Sequence, residues 1–146
     1  MEGWFMSNKK SSLYLHLVWA TWNREMWITK DIERRIYRNI VDQVQKFGCQ
    51  TLAINGMPDH VHLFIKYPTT ISIAKIMKQA KGVSSRFIND KNLVEDHFRW
   101  KIGYGAFTVS RWDTDKILAY IRNQKTHHKY GDIINRLEDF QDIRKL

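Results

Sequence analysis

Among the 146 residues there is one cysteine, Cys49, and only two prolines. A single thiol excludes an intrachain disulfide, which fits a reducing cytoplasm. No apolar run approaches the roughly 20 residues that a membrane-spanning helix requires. The stretch from Met1 to Ser12 has no continuous apolar segment of the kind a signal peptide carries. A cytoplasmic protein with no membrane partner is therefore expected. Linkers, repeats and low-complexity tracts are also lacking, so a single domain is expected over 1–146, with a flexible polar start (1–11) and a helical tail (129–146). Acidic residues are scarce: fifteen Asp and Glu stand against 24 Lys and Arg, a net charge of +9. That balance attracts polyanions, of which nucleic acid is the commonest.

What the chain does contain is enough apolar material for a core, at 43% of residues. Six Trp, six Tyr and seven Phe offer faces on which unpaired bases could stack, although most are needed to fill that core. The stretch Pro58-Asp59-His60-Val61-His62-Leu63-Phe64-Ile65-Lys66 reads as a turn running into a strand. Side chains alternate between the two faces of a strand. Val61, Leu63 and Ile65 share one face, while His60, His62 and Phe64 share the other. Two imidazoles on one face have the spacing of two ligands to one metal ion, or of two half-exposed histidines on an open sheet.

The other elements follow from periodicity. Leu13 to about Trp22 alternates as a first strand, with His16 in its interior. If this strand neighbours the histidine strand, His16 lies beside the pair; a satisfied structural histidine is the plainer reading. Ile32, Ile36, Ile40, Val44 and Phe47 form a helical stripe over about 29–47, with Thr29 as N-cap and Gly48 as the stop. A second strand, Cys49 to about Asn55, enters a turn at Asn55 to Asp59. A second helix, Ser72 to Ile88, buries Ile73, Ile76, Met77, Ala80, Val83 and Phe87. Within it, Gly82 is expected to mark a close approach of backbone. A fourth strand is expected from Arg99 to Val109, where Gly103 and Gly105 leave one face bare, as at a bend or where another chain packs. A third helix follows from Thr114 to His128, with Asp113 as N-cap. The order βαββαβ followed by helices is α+β and ferredoxin-like. It implies a four-stranded antiparallel sheet with two helices on one face. The histidine face is left to the C-terminal helices or to a substrate.

On the third helix Tyr120 and Gln124 are four apart, on one face, and His127 extends that line. The combination of His60-Val61-His62 on a strand with Tyr120-Ile121-Arg122-Asn123-Gln124 on a late helix resembles the HUH single-tyrosine transposases. These include small insertion-sequence transposases and their relatives associated with repetitive extragenic palindromes. Pro58-Asp59-His60-Val61-His62, Lys81-Gly82-Val83-Ser84-Ser85-Arg86, and Asn123-Gln124 with His127-His128 resemble stretches recurrent in that family, and the likeness runs from Leu13 to His128.

The resemblance implies metal-dependent cleavage and rejoining of single-stranded DNA at hairpin-bearing transposon ends, through a 5′-phosphotyrosine link. It implies Tyr120 as nucleophile and His60, His62 and Gln124 as ligands of Mg²⁺ or Mn²⁺. It further implies a homodimer and no nucleotide cofactor. The phenol would need help from the metal or from basic neighbours, and Lys116 and Lys125 are near it in sequence. Lys75, Lys78, Lys81, Arg86 and Arg122 are candidates for DNA contacts, with a solvated helix face as the plain alternative for each. Two other readings stay open. One is a non-catalytic basic module that binds single strands. The other is a zinc site built from His60, His62 and His127 or His128.

Overall fold

The computed structural model describes residues 10–129, with side chains described as far as Thr126. The start at 1–9, the tail beyond Lys129 and the side chains of His127 and His128 lie outside the described residues. The strands are β1 (Tyr14–Ala20), β2 (Gln50–Met57), β3 (His60–Lys66) and β4 (Gly105–Val109). The helices are α1 (Glu33–Gln45), α2 (Ile73–Asp90), α3 (Thr114–Arg122) and α4 (Gln124–Lys129). The sheet runs β2-β3-β1-β4 and every pairing is antiparallel, as the ferredoxin-like reading requires.

Strand alternation sorts two cores to the two faces. Leu15, Leu17 and Trp19 of β1 join Val61, Leu63 and Ile65 of β3. Above them pack Ile36, Ile40 and Val44 of α1 and Ile76, Met77 and Ala80 of α2. On the opposite face Phe64 packs with Ile117, Tyr120 and Ile121 of α3. Strand β3 is thus covered on both sides, and the helix carrying Tyr120 lies against the histidine face.

Several expected boundaries move, each for a local reason. Helix α1 begins at Glu33 rather than near Thr29, because Thr29 instead closes a tight turn, its carbonyl accepting from the N–H groups of Ile32 and Glu33. Strand β2 continues to Met57, so the turn into β3 contains only Pro58 and Asp59. Strand β4 begins at Gly105, not Arg99. Gly103 adopts φ +97° and bends the chain, and Trp100 is turned inward, its Nε1 donating to Ser84 Oγ at 2.9 Å. The bare face at Gly105 is filled from within, since a Cβ there would meet Phe107 and Val18 side chains at 2.9 Å. Ser84 and Ile88, not Val83 and Phe87, take the fully buried line of α2. Gly82 is exposed and nothing lies within 4 Å of the position a Cβ would take, so no close approach explains it. The single helix expected over 114–128 is broken at Asn123, whose φ of −98° and ψ of 19° end α3 before Gln124 opens α4.

Candidate active site

Alternation along β3 aims His60 and His62 away from the aliphatic core, and both are essentially inaccessible, at 1% and 0% exposure. Their ring centroids are 5.1 Å apart and nearly perpendicular. Tyr120 reaches the same place from α3. Its ring stands edge-on to His62 with centroids 6.0 Å apart.

Gln124 is fully buried at the first position of α4. The α3–α4 junction that places it is fastened by two residues. Asn55 stands directly opposite His62 in the β2–β3 ladder. Its Nδ2 donates to the carbonyls of Ile121 and Arg122, both at 3.1 Å, satisfying groups that the end of α3 leaves open. Lys125 Nζ donates to Asn55 Oδ1 at 3.0 Å and to the Gly56 carbonyl at 2.9 Å, and pairs with Glu33 at 2.9 Å. Lys125 therefore clasps α4 to β2 and α1. Lys116 instead lines a small cavity beside His16, Phe107 and Asp113.

Each histidine of the pair has a partner at Nδ1. His60 Nδ1 donates to Asp59 Oδ1 at 2.7 Å, and Arg24 Nε holds Asp59 Oδ2 at 3.0 Å. Burial pushes the Asp59 carboxyl up, but the hydrogen bond from His60, the electrostatic pull of that ring and the Arg24 guanidinium outweigh it. They hold the group below the usual carboxylate value. His62 Nδ1 lies 2.8 Å from Nε2 of His16, which is itself wholly buried.

The donor set suits a divalent cation of borderline hardness: two imidazoles with Nδ1 already engaged, and one primary amide. Among the described residues no three His, Cys, Asp or Glu side chains form a metal-holding group. Gln124, the third ligand expected from the sequence, is a primary amide buried at the start of α4.

The candidate DNA-contact residues are divided by the sheet. Lys75, Lys78 and Arg86 are exposed on α2, across the sheet from Tyr120. Lys81 is drawn toward the 101–103 loop, donating to the carbonyls of Lys101 and Gly103 at 2.7 and 2.8 Å. Burial lowers its pKa to about 8. Lys78, Lys81 and Arg86 line a cleft of about 790 Å³ between α2 and residues 97–104, together with Arg99 and Lys101. Those last two are not among the expected contacts, because sequence alternation puts both on a strand. Arg122 is exposed at the end of α3, on the histidine side.

A family model described as "Transposase IS200 like" matches residues 9–124. The chain belongs to the IS200-like transposase family. The matched span takes in His60, His62, Tyr120 and Gln124. The ISDra2 transposase TnpA of Deinococcus radiodurans is 27% identical over 117 residues, covering 77% of this chain and 84% of that protein. The crystal structure of a Deinococcus radiodurans R1 protein assigned as a transposase has a TM-score of 0.65 at 26% identity, over 80% of this chain and 93% of that one. A REP-associated tyrosine transposase bound to a REP hairpin shares the fold, with a TM-score of 0.61 at 13% identity, over 86% of this chain and 74% of that one. Membership of the IS200-like family makes this a protein of DNA transposition, a class that cuts DNA and transfers strands. Among the described residues no helix is long and apolar enough to cross a membrane.

Proposed function

We propose that this IS200-like transposase cleaves and rejoins single-stranded DNA beside hairpins, using Tyr120 as the nucleophile. The observation that carries the reading is the meeting of Tyr120 with His62, beside His60 on the same sheet face, next to the pinned junction that bears Gln124. The Tyr120 oxygen bonds to phosphorus, the bond from phosphorus to the 3′-oxygen breaks, and the phenolic proton ends on the 3′-hydroxyl. One phosphodiester replaces another, so rejoining by the reverse step needs no nucleotide cofactor. A phenol titrates near 10 in water, so the proton must leave as attack proceeds. His60, His62 and Gln124 would hold Mg²⁺ or Mn²⁺, which supplies charge neutralisation at the phosphate and the leaving oxygen. Tyr120 is only 3% exposed. The α3–α4 segment must therefore lift from β2 to admit a phosphate, with Asn55 and Lys125 as the clasp that opens. The single buried cysteine is compatible with a cytoplasmic site of action.

The cleft beside α2 suits the hairpin itself. Its cations face away from the histidine site, so a duplex stem held there leaves the single strand to reach the other face of the sheet. Replacing Lys78 and Arg86 with Glu should weaken hairpin binding. It should also flatten the salt dependence by about 0.7–0.9 in log–log slope for each phosphate that the protein no longer neutralises. Filter binding across a salt series measures this. An unchanged slope would remove the cleft from the DNA interface.

A homodimer fits the open edge of β4, which pairs only with β1 among the described strands. Sedimentation of the protein at micromolar concentration should give twice the 17.5 kDa chain mass; a monomer would end that part of the reading. The catalytic reading is tested with a single-stranded hairpin oligonucleotide and Mn²⁺ or Mg²⁺. A covalent protein–DNA adduct should form and should be absent after chelation. DNA binding without an adduct under any metal would favour the non-catalytic module.

A further inference from the structure

We propose that His16 and Asp59 are positioning residues that fix the tautomers of the two ligand imidazoles. Each accepts an Nδ1–H, from His62 and His60 respectively, leaving Nε2 as the donor atom of both rings. The inference rests on the proposed metal role of His60 and His62, and goes beyond it by assigning a task to two residues outside the ligand set.

For His60 the chemistry decides the tautomer. An ionised carboxylate can only accept a hydrogen bond. Arg24 Nε lies 3.0 Å from the second oxygen of Asp59 and pairs with the group as a carboxylate. The 2.7 Å contact to His60 Nδ1 therefore requires the proton on Nδ1. The order Arg24, Asp59, His60 is that of a carboxylate–histidine support behind a metal ligand.

For His62 the partner is another imidazole. In the β1–β3 ladder His16 stands opposite Phe64 and Val18 opposite His62, so the two histidines are diagonal neighbours on one face. Their ring planes are 24° from parallel with centroids 5.0 Å apart, and His16 Nε2 and His62 Nδ1 are 2.8 Å apart. Both rings are wholly buried, so a pair of imidazolium ions there would be costly. One proton between the two nitrogens must come from one ring. If His16 supplied it, His62 would carry its own proton on Nε2 and could not ligate through that atom. Ligation through Nε2 thus requires His62 Nδ1–H donating to a lone pair on His16 Nε2. The ring of His16 is kept in place by Phe107, 6.1 Å away between centroids.

Long-range ¹⁵N–¹H spectra of the imidazoles in the metal-free full chain test this directly. His60 and His62 should both appear as Nδ1–H tautomers. In His16→Leu the His62 signal should move toward Nε2–H or an average, and Mn²⁺ affinity by calorimetry should fall about 10–100-fold. His16→Gln, whose Oε1 can take the place of Nε2 as acceptor, should keep the wild-type tautomer and stay within a few-fold in affinity. Wild-type His62 found as Nε2–H would overturn the proposal. So would a folded His16→Leu protein with the wild-type tautomer and affinity. The metal reading fails separately: wild-type protein that takes up no Mn²⁺, with both rings still Nδ1–H, would sink the ligand assignment while supporting the tautomer assignment.

Discussion

Tyr120→Phe should abolish the covalent adduct while leaving the protein folded and able to bind hairpin DNA. The substitution keeps the ring, which packs with Phe64, Ile117 and Ile121 and meets the edge of His62. Only the hydroxyl is removed, so the packing that holds α3 to the sheet is kept. The chemical cost is of another order, because no other atom on the ring can bond to phosphorus. Loss of an enzyme nucleophile typically costs on the order of 10⁶ in rate, far below the detection limit of a gel assay. The oligonucleotide should carry its label at the 3′ end, since the fragment left on the protein is joined through its 5′-phosphate. Wild type then gives a labelled band that survives denaturation, and Tyr120→Phe gives none at equal DNA occupancy. An adduct of wild-type yield in the variant would remove Tyr120 from the nucleophile role. His60→Ala separates the roles further, since it should lower adduct yield and Mn²⁺ affinity together, whereas Tyr120→Phe should leave Mn²⁺ affinity nearly intact.

The histidine face was legible in the sequence because strand periodicity is two and leaves no choice: with Val61, Leu63 and Ile65 buried together, His60 and His62 had to point the other way. The element order then left that face to the C-terminal helices or to a substrate, and α3 is what lies there. What escaped depended on register. The turn between β2 and β3 reads from its residue types as five residues long, but only Pro58 and Asp59 lie outside the ladder. Counting back from that two-residue turn puts Met57 opposite His60 and Asn55 opposite His62. A longer turn hides Asn55, and with it the anchor of the α3–α4 junction. Lys125 escaped for a similar reason, since helical spacing says which face it shares but not that three partners on β2 and α1 await it. The fourth strand reads too long because Arg99 to Tyr104 alternates well. Burial of Trp100 against Ser84 and the bend at Gly103 override that pattern. Both are tertiary facts that strand propensity does not encode. His16 was visible as a buried candidate, but its link to His62 is a diagonal one, fixed only when β1 is seated on β3.

Gly56→Ala should damage stability and the site together. A Cβ at this position would fall 2.2 Å from the His60 carbonyl oxygen and 3.0 Å from Val61 Cα. Both are backbone atoms, so no side chain can swing aside to make room. The ladder between β2 and β3 must open instead, at the point where Gly56 pairs with Val61. Overpacking of this kind costs about 1–3 kcal/mol. The displaced segment is the one that carries His60, and the Gly56 carbonyl is an acceptor for Lys125. The clasp on α4 should loosen as His60 shifts. A misplacement near 1 Å in an active site can cost about 100-fold in rate, so adduct formation should slow by that order even where the protein remains folded. Urea unfolding midpoints and single-turnover adduct rates measure the two effects separately. Gly82→Ala is the matched control: nothing lies within 4 Å of its added Cβ, and helix propensity alone should stabilise it by up to about 1 kcal/mol. A Gly56→Ala protein with wild-type stability and rate would show that β2 does not approach His60 this closely.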